Sequence, residues 1–150
     1  MATYTPEEFK KKIERFAKNQ PKFLEASLKA NLEIVRTESV RNHLSGPKMQ
    51  RGVGSQTSAT LARRSGDLAK VGKRVKVESG KIVAQLISNM KYSRIHELGG
   101  TIHHTNLFGK GIKATIKMPA RPFLSSALQA KKRIVIDNLL QAMMTGYRKS

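Results

Sequence analysis

The sequence predicts an α+β fold in which an antiparallel-rich sheet of about four strands packs against a long C-terminal helix and an N-terminal helical pair. Three observations carry this. Apolar residues recur at helical spacing within residues 5–44 and again within 122–145. Between those stretches, polar and apolar residues alternate in short runs separated by Gly-containing turns. A chain of 150 residues with 39% hydrophobic content is long enough for one domain with its own core. The expected layout is a single domain over 1–150, with N-terminal helices over 5–44, a loop over 45–58 and an α+β core over 59–146.

The first helix has a clear start. Thr5 suits the N-cap, Pro6 the first helical position, and Glu8 the residue that reaches back to the cap. Phe9, Ile13, Phe16 and Ala17 then repeat at helical spacing until Asn19-Gln20-Pro21, where a break or kink is expected. A second helix is expected over about 21–44, with Leu24, Leu28, Leu32 and Val35 on one stripe. The stripe fades at Ser39 and Asn42, as if the helix end protruded or met something polar. Residues 45–58 hold three Gly, one Pro and three Ser, a loop composition that predicts order only in an assembly. A short helical piece is expected over Leu61–Leu68.

Arg74–Glu78 and Lys81–Ser88 read as a hairpin around Ser79-Gly80. Tyr92–Leu98 reads as a short turn or helix closed by Gly99-Gly100. Thr101–Asn106 and Ile112–Met118 read as two more strands around Gly109-Lys110-Gly111. The last helix is expected from near Pro122 to about Thr145, ending at Gly146. Leu124, Ala127, Leu128, Val135, Leu139 and Met143 form its core stripe. Ile134, Ile136 and Leu140 widen the apolar arc, which marks them as a candidate subunit interface.

Charge narrows the function. Lys and Arg number 29, Asp and Glu 10, for a net charge of +19. The excess sits in residues 45–133, with eighteen basic residues against Asp67, Glu78 and Glu97. Such a balance points to nucleic acid, an anionic surface or an acidic protein partner. With no Trp and 5% aromatic residues, contact with a phosphate backbone suits the composition better than base stacking. Lys48, Arg51, Arg63 and Arg64 are the candidate contacts to DNA or to acidic neighbours.

No catalytic residues are expected. The absence of Cys removes thiolate chemistry and disulfides. His96-Glu97 begins like a zinc-protease helix, but position 100 is Gly where the second His belongs. A His96, Glu97, His103 metal site is geometrically possible across a turn, yet a hydrogen-bonded His at a packed corner explains the same residues, so no metal or other cofactor is expected. The glycine pairs Gly52/Gly54 and Gly109/Gly111 lack phosphate-loop spacing. Nothing in the sequence predicts a membrane span or a signal peptide.

Two stretches are more specific: Tyr92-Ser-Arg-Ile-His-Glu-Leu-Gly-Gly100 and Met118-Pro-Ala-Arg-Pro-Phe-Leu-Ser-Ser-Ala-Leu128. Together they resemble the tail-completion and virion-morphogenesis proteins of tailed bacteriophages, over about residues 58–145. In that family the pattern runs Tyr-Ala-x-Ile-His-Glu-Phe-Gly-Gly, a strand pair, then Pro-Ala-Arg-Pro-Phe-Leu opening the last helix. This chain departs from it at Ser93 and Leu98. The residues carrying the resemblance are Tyr92, Ile95, His96, Glu97, Gly99, Gly100, Pro119, Arg121, Pro122, Phe123 and Leu124. They read as architecture: Pro119 and Pro122 stiffen the entry to the last helix, Phe123 and Leu124 bury, and Arg121 is a natural partner for Glu97.

The resemblance implies a structural virion protein of the neck, made in the host cytoplasm. It would form a head–tail joining ring of about six or twelve copies, with double-stranded DNA in its channel. Its neighbours would be head connector or adaptor proteins and tail terminator or tail tube proteins. Alternatives are a tail terminator or other neck ring and, in a different class, an architectural nucleic-acid-binding protein acting outside a particle.

Overall fold

The computed structural model describes residues 5–48, 62–63, 66–78, 80–107 and 112–149. In chain order they form helix α1 (Pro6–Glu38), a π-turn (Ser39–His43), strands β1 (Gly46–Lys48) and β2 (Ala62–Arg63), and a 3-10 turn (Asp67–Ala69). Then come β3 (Val71–Glu78), β4 (Lys81–Ser88), α2 (Ser93–Leu98), β5 (Gly100–Leu107), β6 (Ile112–Met118) and α3 (Leu124–Arg148). The class is α+β, as expected. The expected four-stranded sheet is instead three two-stranded ones: β1–β2 parallel, β3–β4, and β5–β6 antiparallel. Alternation along a strand fixes which side chains share a face, not which strand lies beside it. Of the short helical piece expected over Leu61–Leu68, the described residues form β2 and the start of the 3-10 turn; the rest lies outside the described residues.

The N-terminal helical pair is corrected to one helix that runs through Pro21. Its start is the capping box: Glu8 N–H donates to Thr5 Oγ1 at 3.3 Å, and Thr5 N–H donates to Glu8 Oε2 at 2.8 Å. A proline removes one internal hydrogen bond, at about 3 kcal/mol. Packing on both sides of Pro21 offsets that cost. Where the apolar stripe fades, Ser39 is fully buried and Asn42 is exposed, donating to Glu38.

The chain divides into two compact units. One comprises residues 1–34, 73–85 and 131–150. There α1 and α3 run antiparallel: Phe16 meets Tyr147 edge-on at 5.8 Å, and Ser27 Oγ donates to the Asn138 carbonyl at 3.2 Å. Asn31, 2% exposed, accepts from Asn138 Nδ2 at 2.7 Å, a polar layer between the helices. Gly146, expected to end α3, lies buried inside it. A Cβ there would come within 2.5 Å of Gln20 Oε1 and 3.2 Å of the Phe23 ring. Lys73 of β3 pairs with Glu33 of α1.

The other unit comprises residues 35–72 and 86–130. Its core is Leu44, Val71 and Phe123, with Leu68, Ala69, Leu86 and Leu124 packed against it. Arg36 Nε donates to the Val71 carbonyl at 3.1 Å, tying α1 to the start of β3.

Candidate functional site

The two stretches that carry the resemblance meet in the second unit. The side of α2 places Glu97 against the start of α3, whose first N–H groups have no partner within the helix. Phe123 and Leu124 donate to Glu97 Oε2 at 2.8 and 3.0 Å, and Ser125 N–H donates to Oε1 at 2.8 Å. The Ser125 hydroxyl donates to Oε1 as well. A carboxylate here satisfies three backbone donors and complements the positive end of the helix, an arrangement worth about 0.5–2 kcal/mol. Burial alone would push the Glu97 carboxyl up. The Ser125 hydroxyl and the N–H groups of Leu124, Ser125 and Phe123 together outweigh it and hold Glu97 below its ordinary value.

The entry to α3 is fixed a second time, because Arg121 N–H donates to the His96 carbonyl at 2.7 Å. Beneath it Phe123 is fully buried, while Leu124 is half-buried. Pro119 and Pro122 lie exposed on the approach. The sequence makes Arg121 a natural partner for Glu97; what the carboxylate grips is the helix end itself, two to four residues further on. Arg121 acts on the neighbouring side chain: burial first, then the Arg121 charge, hold His96 below its ordinary value. Tyr92 stands edge-on to His96 at 5.9 Å and is itself exposed. Leu98, at the position where the family pattern has an aromatic, is 67% exposed.

Gly99 ends α2 with φ 70° and ψ −176°. A side chain there would be strained, and its Cβ would come within 2.8 Å of the Ala120 nitrogen. Ile95 is half-buried, and its side chain lies 3.7 Å from where a Cβ on Gly100 would stand. Every residue of the motif therefore stands at or beside one corner.

The possible metal set does not gather. Glu97 is committed to the helix end, and His103 lies exposed on β5, within 3.3 Å of Thr115 on β6. Among the described residues no group of three His, Asp or Glu could hold a metal ion. No described helix is long and apolar enough to cross a membrane.

Of the four basic candidates, Arg51 and Arg64 lie outside the described residues. Lys48 and Arg63 are described as backbone only, and β1–β2 pairing brings them opposite each other. Most of the loop over 45–58, and the turn at Gly109–Gly111, also lie outside the described residues. Basic side chains that are described and exposed include Arg74 and Lys76, on one face of β3.

The three interface candidates Ile134, Ile136 and Leu140 are all exposed, at 45%, 45% and 53%. They do not form one surface. Two residues along a helix is a rotation of about 200°, so Ile134 faces away from Ile136. Met143, expected in the core stripe, is exposed as well, as is Met144. Compared with protein-family models, curated proteins and solved structures, the chain finds no match.

Proposed function

We propose that this chain is a structural virion protein of a tailed phage, a subunit of the head–tail joining ring through which DNA passes. The observation that carries the reading is how the motif is spent. Glu97 caps α3, the His96 carbonyl receives Arg121 N–H, and Gly99 admits Ala120. These residues hold one helix on one corner, so the function lies in shape and contact rather than in a reacting group. The exposed apolar side chains of α3 suit a protein that works in an assembly. The net charge of +19 suits a DNA channel or acidic neighbours, with Lys48, Arg51, Arg63 and Arg64 as the contacts.

The test is electron microscopy of the neck of purified particles. The chain is expected there as a closed ring, with the four basic residues toward the channel or toward acidic neighbours. The same four on the outer wall, facing solvent, would sink their assignment. A tail terminator would appear at the tail-tube end instead. The charge also favours a second reading, an architectural nucleic-acid-binding protein. That protein would be missing from particles and would lose DNA affinity steeply with salt.

A further inference from the structure

The β5–β6 hairpin of the second unit has two unlike faces. Residues directly opposite each other in an antiparallel pair share a face, and the faces alternate along each strand. Thr101 stands opposite Lys117, and His103 opposite Thr115. Lys113, two residues before Thr115, falls on the same face. All five are exposed. Ile102 with Ile116, and Gly100 with Met118, take the other face. There Ile102, Ala114 and Met118 are half-buried. One side of the ribbon is thus apolar and partly covered, while the other is polar and open.

From Leu98 to Ile136 the sequence holds no Asp or Glu, and Glu97 is taken up by the start of α3. Among the described residues no carboxylate pairs with Lys113 or Lys117. The open face therefore offers two uncompensated ammonium groups, two hydroxyls and the His103 ring, which lies 3.3 Å from Thr115 Oγ1. Such a donor set suits phosphate oxygens, which only accept. Lys113, Thr115 and Lys117 follow one another at about 7 Å, close to the step between successive phosphates of one strand. None of the five is an Arg, Asn or Gln that would read base edges, and none is an aromatic that would stack on unpaired bases. Nor does the face carry the aromatic, Met or Arg anchors that centre most protein–protein contacts.

We propose that the open face of the β5–β6 hairpin lies on the phosphate backbone of duplex DNA without regard to sequence, with Lys113 and Lys117 on phosphates and Thr101 and Thr115 donating between them. None of these residues is among the four contacts of the ring reading, and the face can take a duplex inside a particle or outside one.

The test is fluorescence anisotropy of the full chain with a labelled DNA duplex over a range of salt. Joint Lys113→Ala and Lys117→Ala substitution is expected to weaken binding about tenfold at physiological salt and to lower the slope of log affinity against log salt by about 2. Joint Lys10→Ala and Lys11→Ala substitution removes the same charge from exposed positions on α1 and is expected to leave both nearly unchanged. Joint Lys113→Arg and Lys117→Arg substitution keeps the charge and is expected to keep the affinity. A duplex of unrelated sequence is expected to bind within about twofold of the first. Circular dichroism confirms that each variant folds. No binding of the duplex, or equal losses in the two alanine pairs, overturns the proposal. So does tighter binding of a single strand of the same length. Tighter binding of polyglutamate at equal charge overturns it too, for that puts an acidic protein on the face. Particle microscopy tests the ring separately, so either reading can fail alone.

Discussion

At its first turn α3 has three backbone donors on one carboxylate, and the fully buried Phe123 lies directly before it. Past Ile134 the same helix leaves Ile136, Leu140, Met143 and Met144 exposed and buries Asn31 and Gly146 along its other side. The first region turns its polar groups inward to fix one geometry. The second keeps apolar area outside and a polar layer inside. A helix whose only task was to complete a core would do the reverse at its second end. The difference therefore separates the part of α3 that holds the fold from the part that presents a surface.

Substitutions sharpen or break that contrast. The largest effect is expected at Phe123→Ala, which empties a fully buried site and should cost about 3–5 kcal/mol in denaturant unfolding. A loss below about 1 kcal/mol would mean the corner is no more tightly built than the exposed turns. Gly99→Ala comes next. It forces a Cβ onto a conformation that only glycine adopts readily and toward the Ala120 backbone, at about 1–3 kcal/mol.

Glu97→Gln keeps an acceptor but removes the charge at the helix end, and is expected to cost about 1 kcal/mol at neutral pH. Its signature is in the pH dependence. His96 is held below its ordinary value of 6.5, so the unfolded chain binds a proton that the folded corner resists. Stability therefore falls as pH drops below 6.5, until His96 titrates in the folded state as well. Glu97 is held below its ordinary value of 4.5, so its contribution is present above that pH and is lost as pH falls through the lowered folded value. Glu97→Gln should flatten the lower limb and leave the upper one. If stability stays flat from neutral pH through both windows, neither group is coupled to folding. The smallest effect is expected at Leu140→Ser, within about ±0.5 kcal/mol, because more than half of that side chain's surface is already in water. A cost of several kcal/mol would break the contrast from the other side.

What was legible in the sequence was what depends on near neighbours. Thr5 and Glu8 are three residues apart, so the cap could be read directly. The hairpins could be read from alternation, and Phe123 from the rigid approach before it. The use of Glu97 was not legible, because its partners lie 26 to 28 residues on and the grip depends on where α2 is placed. Pro21 misled for a related reason: a local rule disfavours it in a helix, and tertiary packing along α1 overrides the rule. Gly146 looked like a helix end because glycine usually is one. Only the arrival of Gln20 against it shows that it is there for closeness.

That close approach has a consequence for how the helix pair comes apart. Pro21 lacks a backbone donor, and Gln20 beside it lies against Gly146, the weakest helix former in α3. The two helices are therefore weakest at one shared level. Beyond it stand the first turns of α1 and the last residues of α3, held together by Phe16, Tyr147 and Lys12. Behind it stands the layer of Ser27, Asn31 and Asn138. The tip is therefore expected to exchange its amide hydrogens sooner than the layer behind it, and equal protection on both sides of Pro21 would show that the pair opens only as a whole.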